Sequence, residues 1–81
     1  MLTHSYPVVL YPDPDEPGAY IVEAPDLPGL ATEGPTIDIA LVNAHEAISL
    51  YLEELRARGE DAPQPGKHGP VVLGSVTVEV A

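Results

Sequence analysis

Thr36-Ile37-Asp38-Ile39-Ala40-Leu41-Val42-Asn43-Ala44-His45-Glu46-Ala47-Ile48-Ser49-Leu50-Tyr51-Leu52-Glu53-Glu54-Leu55-Arg56-Ala57-Arg58 is the one long helical pattern in the chain. Ile37, Ala40, Leu41, Ala44, Ile48, Tyr51, Leu52 and Leu55 recur at spacings of three and four, which gathers them on one face. Thr36 has N-cap chemistry. Asp38 falls in the first turn, and Arg56 and Arg58 fall in the last, as the helix dipole favours. Glu54 and Arg58 make an i,i+4 pair in the favourable order, and Gly59 suits the C′ position. A helix with one apolar face needs a layer to cover it. The flanking segments supply strands for that layer.

Upstream, Tyr6-Pro7-Val8-Val9-Leu10-Tyr11 is β-branched, aromatic and too short for a helix. It reads as a strand with Tyr6, Val8 and Leu10 on one face and Val9 and Tyr11 on the other. Pro7 cannot donate a ladder bond and belongs at the strand start. Pro12-Asp13-Pro14-Asp15-Glu16-Pro17-Gly18 is a loop of turn formers. Ala19 to Ala24 is a second strand, close enough to the first for an antiparallel hairpin. Pro25-Asp26-Leu27-Pro28-Gly29 is a turn, in which the Asp26 side chain is expected to close on local backbone. Leu30 to Glu33 is a short third strand, ending at Gly34-Pro35.

Beyond the helix, residues 59–70 read as a Pro- and Gly-rich loop. Val71 to Val80 follows, with Val76, Val78 and Val80 alternating with Ser75, Thr77 and Glu79, the pattern of a half-buried strand. The expected fold is α+β in the order β-β-β-α-β. A three-stranded antiparallel meander is joined by a C-terminal strand, and one helix packs on the sheet. If the last strand runs parallel to its neighbour, the connection is a right-handed crossover. The Val-rich strand is either covered within the sheet or offers an edge to another subunit.

The length of 81 residues gives one domain, 1–81, with a small core. Oligomerisation or partner binding is therefore expected. Thirteen Asp and Glu against three Lys and Arg leave a net charge of −10. That opposes binding to nucleic acid or to an anionic membrane, and it suits a basic partner. The absence of cysteine excludes disulfides and thiol chemistry. No apolar run reaches the ~20 residues of a membrane span, and no signal peptide is read at the N-terminus, so the expected location is the cytoplasm. Ten prolines with a single Asn, Gln and Met fit either heat adaptation or a GC-rich genome.

Catalytic signals are weak. His4, His45 and His68 are scattered, without metal-ligand spacing, so no metal site is expected. Glu23 and Asp26 are two carboxylates that can meet, too few for a two-metal site. Ser5, Ser49 and Ser75 have no triad partners at suggestive positions. No cofactor is implied. The helix has a distinct outer face. Ile39, Val42 and Leu50 point away from the core stripe and surround Glu46 and Glu53, a candidate contact patch rimmed by acid.

The run Tyr20-Ile21-Val22-Glu23-Ala24-Pro25-Asp26-Leu27-Pro28-Gly29 is followed by Thr32-Glu33-Gly34 and then Ala40-Leu41-Val42-Asn43-Ala44-His45-Glu46-Ala47-Ile48. Together they resemble the HicB-like antitoxin family over nearly the whole chain. Leu30 stands where that family often has Cys, and Ile37-Asp38-Ile39 replaces a typical Leu-Glu-Glu. The resemblance implies a degraded ribonuclease-H-like fold without nuclease carboxylates. It further implies a non-enzymatic antitoxin that binds a small basic mRNA-cleaving toxin of the HicA type, in homodimers or homotetramers. Many relatives carry an additional DNA-binding domain, and none is read in these 81 residues.

The expected partner-binding residues are Asp13, Asp15 and Glu16 in the acidic loop and Ile39, Val42, Glu46, Leu50 and Glu53 on the outer helix face. Pro25, Asp26, Pro28 and Gly29 are expected to shape the turn. The alternative function is an orphan self-assembling module without a toxin. A residual metal-dependent nuclease using Glu23 and Asp26 is the remaining reading.

Overall fold

The computed structural model describes residues 4–66 and 74–80. Strands β1 (Val9–Pro12), β2 (Tyr20–Glu23) and β3 (Ala31–Gly34) are followed by helix α1 (Ile37–Ala57). The strands form an antiparallel meander in the order β1-β2-β3. Val9 faces Glu23 and Leu10 faces Val22, while Val22 faces Thr32 and Tyr20 faces Gly34. The α+β meander-plus-helix arrangement agrees with the sequence.

Both hairpins are closed by the expected turn formers. In the first, Asp13 Oδ1 accepts from the Asp15 amide at 2.9 Å, and Asp13 N donates to Ala19 O at 2.9 Å. In the second, Leu30 N donates to Leu27 O at 3.1 Å, with Pro28 and Gly29 between them. Gly29 has φ +85, the left-handed value that a type II turn requires after proline. The Asp26 carboxylate, however, does not serve local backbone as expected. It is 2% exposed, and its Oδ2 accepts from Gly66 N at 2.7 Å, tying the turn to the loop beyond the helix. Its Oδ1 is buried without a partner among the described residues.

The helix begins and ends as its sequence dictates. Thr36 is extended, and its hydroxyl accepts from Ile39 N at 3.1 Å. At the other end Gly59 N donates to Arg56 O and Glu60 N to Leu55 O, with Gly59 at φ +75. That is a Schellman closure. The expected Glu54–Arg58 pair is replaced by Arg58 with Glu60, at 3.1 Å. The closing turn brings Glu60 back beside the guanidinium, and both side chains are exposed.

Small residues seat the helix. Ala40 and Ala44 are buried against Val22, with Val8, Leu10 and Tyr20 packed around them. A second cluster of Ala24, Leu27 and Leu30 takes in Tyr6, Ile48, Tyr51 and Leu52. Tyr6 and Val8 thus reach the core although the ladder starts only at Val9. Pro7, which lacks an N–H, keeps the segment before it out of the ladder.

Two expectations are corrected. Ile37 and Leu41 were placed on the buried stripe but are 47% and 41% exposed. The helix is centred on its alanines over β2 and β3, so these larger side chains overhang the sheet. Nor do residues 74–80 form a strand. They carry no regular structure and are exposed, with Val76 at 87% and Val80 at 89%. A strand exists only when an edge pairs with it, and no pairing to residues 74–80 is present among the described residues. The crossover expected with that strand is absent among those residues too. Residues 71–73, the start of the expected strand, lie outside the described residues. Among the described residues, no helix is long and apolar enough to cross a membrane.

Candidate functional site

The first hairpin loop and the helix meet through β3. In a strand, successive residues point to opposite faces while the register fixes who sits across. Glu33, one residue before the strand ends, lies beside the Asp13 loop. Carboxylate oxygens of Asp13, Glu16 and Glu33 all come within 4.8 Å of one another. Such crowding of negative charge is unfavourable unless a proton or a cation relieves it. The Glu33 pKa is accordingly raised, first by its hydrogen bond to Asp13 and then by the Asp13 charge. Asp15 points elsewhere. Its amide closes the turn onto Asp13, and its side chain is exposed outside the cluster.

Asn43 joins this acidic corner to the helix. Its Nδ2 donates to Glu33 O at 2.8 Å. Glu16, Glu33, Gly34, Pro35 and Asn43 line a hollow of about 300 Å³ between loop and helix. Ile39 and Glu46 are the i−4 and i+3 neighbours of Asn43 on the helix surface. The acidic corner therefore runs directly into the outer helix face. On that face Ile39, Val42 and Leu50 are 45%, 67% and 58% exposed, with Glu46 exposed between Val42 and Leu50 and Glu53 exposed beyond them. Spacings of three and four from Ile39 through Val42, Glu46 and Leu50 to Glu53 form one continuous stripe.

Sequence reasoning named the two halves of this surface separately. It missed Glu33 and Asn43, which connect them. Neither has a local signature, because their roles depend on the β2–β3 register and on where the helix crosses.

Glu23 and Asp26 do not form a common site. Glu23 is exposed on β2, where its carboxylate bonds the Tyr11 hydroxyl and raises that phenol's pKa. Asp26 is buried and committed to Gly66. Asp26 also acts on Tyr6, whose pKa is raised by burial first and by the Asp26 charge second. The Tyr6 hydroxyl donates to Pro63 O at 2.7 Å. A hollow of about 410 Å³ beside Val9, Glu23, Pro25, Pro28 and Ala31 contains Glu23 as its ionisable side chain. His4 lies near the Tyr6 ring and His45 is exposed on the helix, while His68 lies outside the described residues.

Comparison with known proteins bears on this surface. A family model described as an HicB-like antitoxin of bacterial toxin-antitoxin systems matches residues 6–71. A UPF0150 protein of Thermoplasma acidophilum is 46% identical over 50 residues, covering 62% of this chain and 72% of that protein. A UPF0150 protein of Archaeoglobus fulgidus is 46% identical over 39 residues, covering 48% of this chain and 56% of that one. An uncharacterised 14.9 kDa protein of Haemophilus phage HP1 is 40% identical over 45 residues. The match takes in 56% of this chain and 34% of the phage protein.

Proposed function

The chain belongs to the HicB-like antitoxin family, and from that premise we propose that it is a non-enzymatic antitoxin domain acting in the cytoplasm. Its partner is a small basic mRNA-cleaving toxin of the HicA type. The observation that carries this reading is the continuity of acid and apolar surface from the hairpin loop to the outer helix face.

The physical logic has two parts. A net charge of −10 attracts a basic protein over a Debye length of about 10 Å at moderate salt and speeds encounter. The corner formed by Asp13, Glu16 and Glu33 is a receptor for one cationic side chain, whose arrival relieves the repulsion among three carboxylates. Charge alone gives weak, salt-labile binding. Ile39, Val42 and Leu50 add an apolar anchor, and burying such side chains is worth about 1.5–3 kcal/mol each. A toxin held this way has its cationic surface covered, which is the surface that must meet RNA phosphates.

Co-expression with a basic neighbouring gene product tests the reading. The two proteins are expected to co-purify at low salt and to separate progressively as salt rises. Val42→Asp with Glu46→Lys is expected to release the toxin while helix content is kept, since both side chains are exposed. Failure to co-purify with a basic neighbour at low salt overturns the proposal. Self-assembly without any toxin is the second reading, and the exposed C-terminal valines favour it.

A further inference from the structure

We infer, on the reading of a basic partner given above, that the sheet face opposite the helix holds an extended segment of that partner with Lys or Arg at alternate positions.

Strand alternation and register define this face. Ala40 and Ala44 of the helix pack on Val22, so its neighbours Ile21 and Glu23 turn to the opposite side. The register sets Val9, Glu23 and Ala31 in one row and Tyr11, Ile21 and Glu33 in the next. Tyr11, Glu23, Ala31 and Glu33 are exposed, while Val9 and Ile21 are half-buried. The result is an apolar floor with one carboxylate in each row.

Three hollows follow β3 in series. The first, of about 410 Å³, lies beside Val9, Glu23 and Ala31. The second, of about 250 Å³, is lined by Ile21, Ala31, Thr32 and Glu33. The third is the hollow of about 300 Å³ beside Glu16, Glu33 and Asn43. The first two share Ala31 and the last two share Glu33, so they make one groove. It starts at Glu23 and ends at the corner of Asp13, Glu16 and Glu33.

That layout selects its occupant. Lys and Arg carry an apolar stem and a charged head, and they lay the stem on apolar surface while the head stays in water. Here the stems lie on Val9, Ile21 and Ala31, and the heads reach Glu23 and Glu33. The Tyr11 hydroxyl bonds the Glu23 carboxylate and keeps it at the groove. The two rows lie two residues apart, about 6.8 Å. An extended segment repeats its same-side side chains at that spacing, so residues i and i+2 fall on the two rows. A helix advances only about 5.4 Å per turn and drifts off them. Among the described residues, the Lys and Arg side chains are Arg56 and Arg58, at the end of the helix, so the face offers a single sign of charge. The segment lies on the face and does not extend the β3 edge, because Asn43 already bonds Glu33 O.

The test uses the full chain and two capped hexapeptides of equal composition, one with its two lysines at alternate positions and one with them adjacent. In a nuclear magnetic resonance titration, amide shifts are expected at Val9, Tyr11, Ile21, Glu23, Ala31 and Glu33, and the alternating peptide is expected to bind more tightly. Glu23→Gln is expected to weaken that binding by up to about fivefold, the range of an exposed ion pair. Glu54→Gln removes the same charge from the helix and is expected to leave it unchanged at moderate salt. Ala31→Lys sets a cation of the chain's own in the groove and is expected to abolish binding. Equal binding of the two peptides overturns the inference. So do equal losses in Glu23→Gln and Glu54→Gln, or shifts confined to the outer helix face. A basic neighbour that co-purifies but shifts only the outer helix face overturns it too, and leaves the antitoxin reading standing. Selective binding of the alternating peptide, when no basic neighbour co-purifies, does the reverse.

Discussion

Gly34→Ala is the substitution for which the structure makes the sharpest demand. Gly34 ends β3 directly beneath the first turn of α1. A Cβ added there would stand 2.5 Å from Ala40 N, 2.8 Å from Ala40 Cα and 2.9 Å from the Ile39 carbonyl carbon. Comfortable contact needs about 3.5–4.0 Å. All three obstacles are backbone, so no side chain can swing aside. The helix must lift by roughly an ångström, and a gap of 0.5–1 Å forfeits about a quarter to a half of each dispersion contact. The contacts at stake are those of Ala40 and Val22, both fully buried. Overpacking costs about 1–3 kcal/mol, and the upper half applies when backbone is in the way. Against this, losing glycine's freedom in the unfolded chain returns about 0.4–1 kcal/mol. The net loss is about 2 kcal/mol, from a total of about 4–12 kcal/mol for a chain of this length. Urea denaturation should show that loss, and the melting temperature should fall by about 8–16 °C. Gly74→Ala is the control, because a Cβ there meets nothing within 4 Å. It should stay within about 0.5 kcal/mol of wild type. If Gly34→Ala is equally silent, the close helix–strand approach is wrong.

Two further outcomes follow from local chemistry. Thr36→Ala removes the hydroxyl that accepts from Ile39 N and should cost about 1 kcal/mol in urea denaturation, with Thr36→Asn restoring most of it. Glu33 has a pKa raised above the ordinary 4.5 by its hydrogen bond to Asp13 and by that residue's charge. The folded state therefore holds this proton more tightly than the unfolded chain does. The stabilising contribution is full below the unfolded value and is lost as pH rises through the folded one. Urea midpoints measured across this interval should show wild type losing stability relative to Glu33→Gln as pH rises. Parallel curves for the two proteins would remove Glu33 from the acidic corner.

The helix was legible because its signals are local. Thr36, Gly59 and the three-four spacing each act within one turn, so the sequence placed both ends within a residue. The meander was legible for the same reason, with Asp13 through Gly18 and Pro28-Gly29 as turn chemistry. Periodicity shows which side chains share a face but not how wide a sheet lies under them. Ile37 and Leu41 therefore read as core although, among the described residues, no strand lies beneath them. Gly34 read as a strand stop, while its use as a close-approach point depends on where Ala40 crosses. Asp26 read as a local turn former, but its bond runs to Gly66, forty residues away. No local pattern encodes such a partner. The acidic corner was half visible for the same reason. Asp13 and Glu16 are three residues apart in one loop, and only the strand register delivers Glu33 to them.

Two surfaces divide the helix between them. Ile39, Val42, Glu46, Leu50 and Glu53 lie on the outer stripe, next to the acidic corner through Asn43. Leu41, Ile48 and Leu52 lie on the flank toward β1, beside an uncharged edge. A basic partner docked on the first, as proposed, would leave the second uncovered. The separation also follows from the charge. Two chains of charge −10 can approach only where neither presents acid, and a basic partner gains most where both acid and apolar surface are offered. Salt should consequently weaken the proposed binding of a basic partner, because it screens the acidic face.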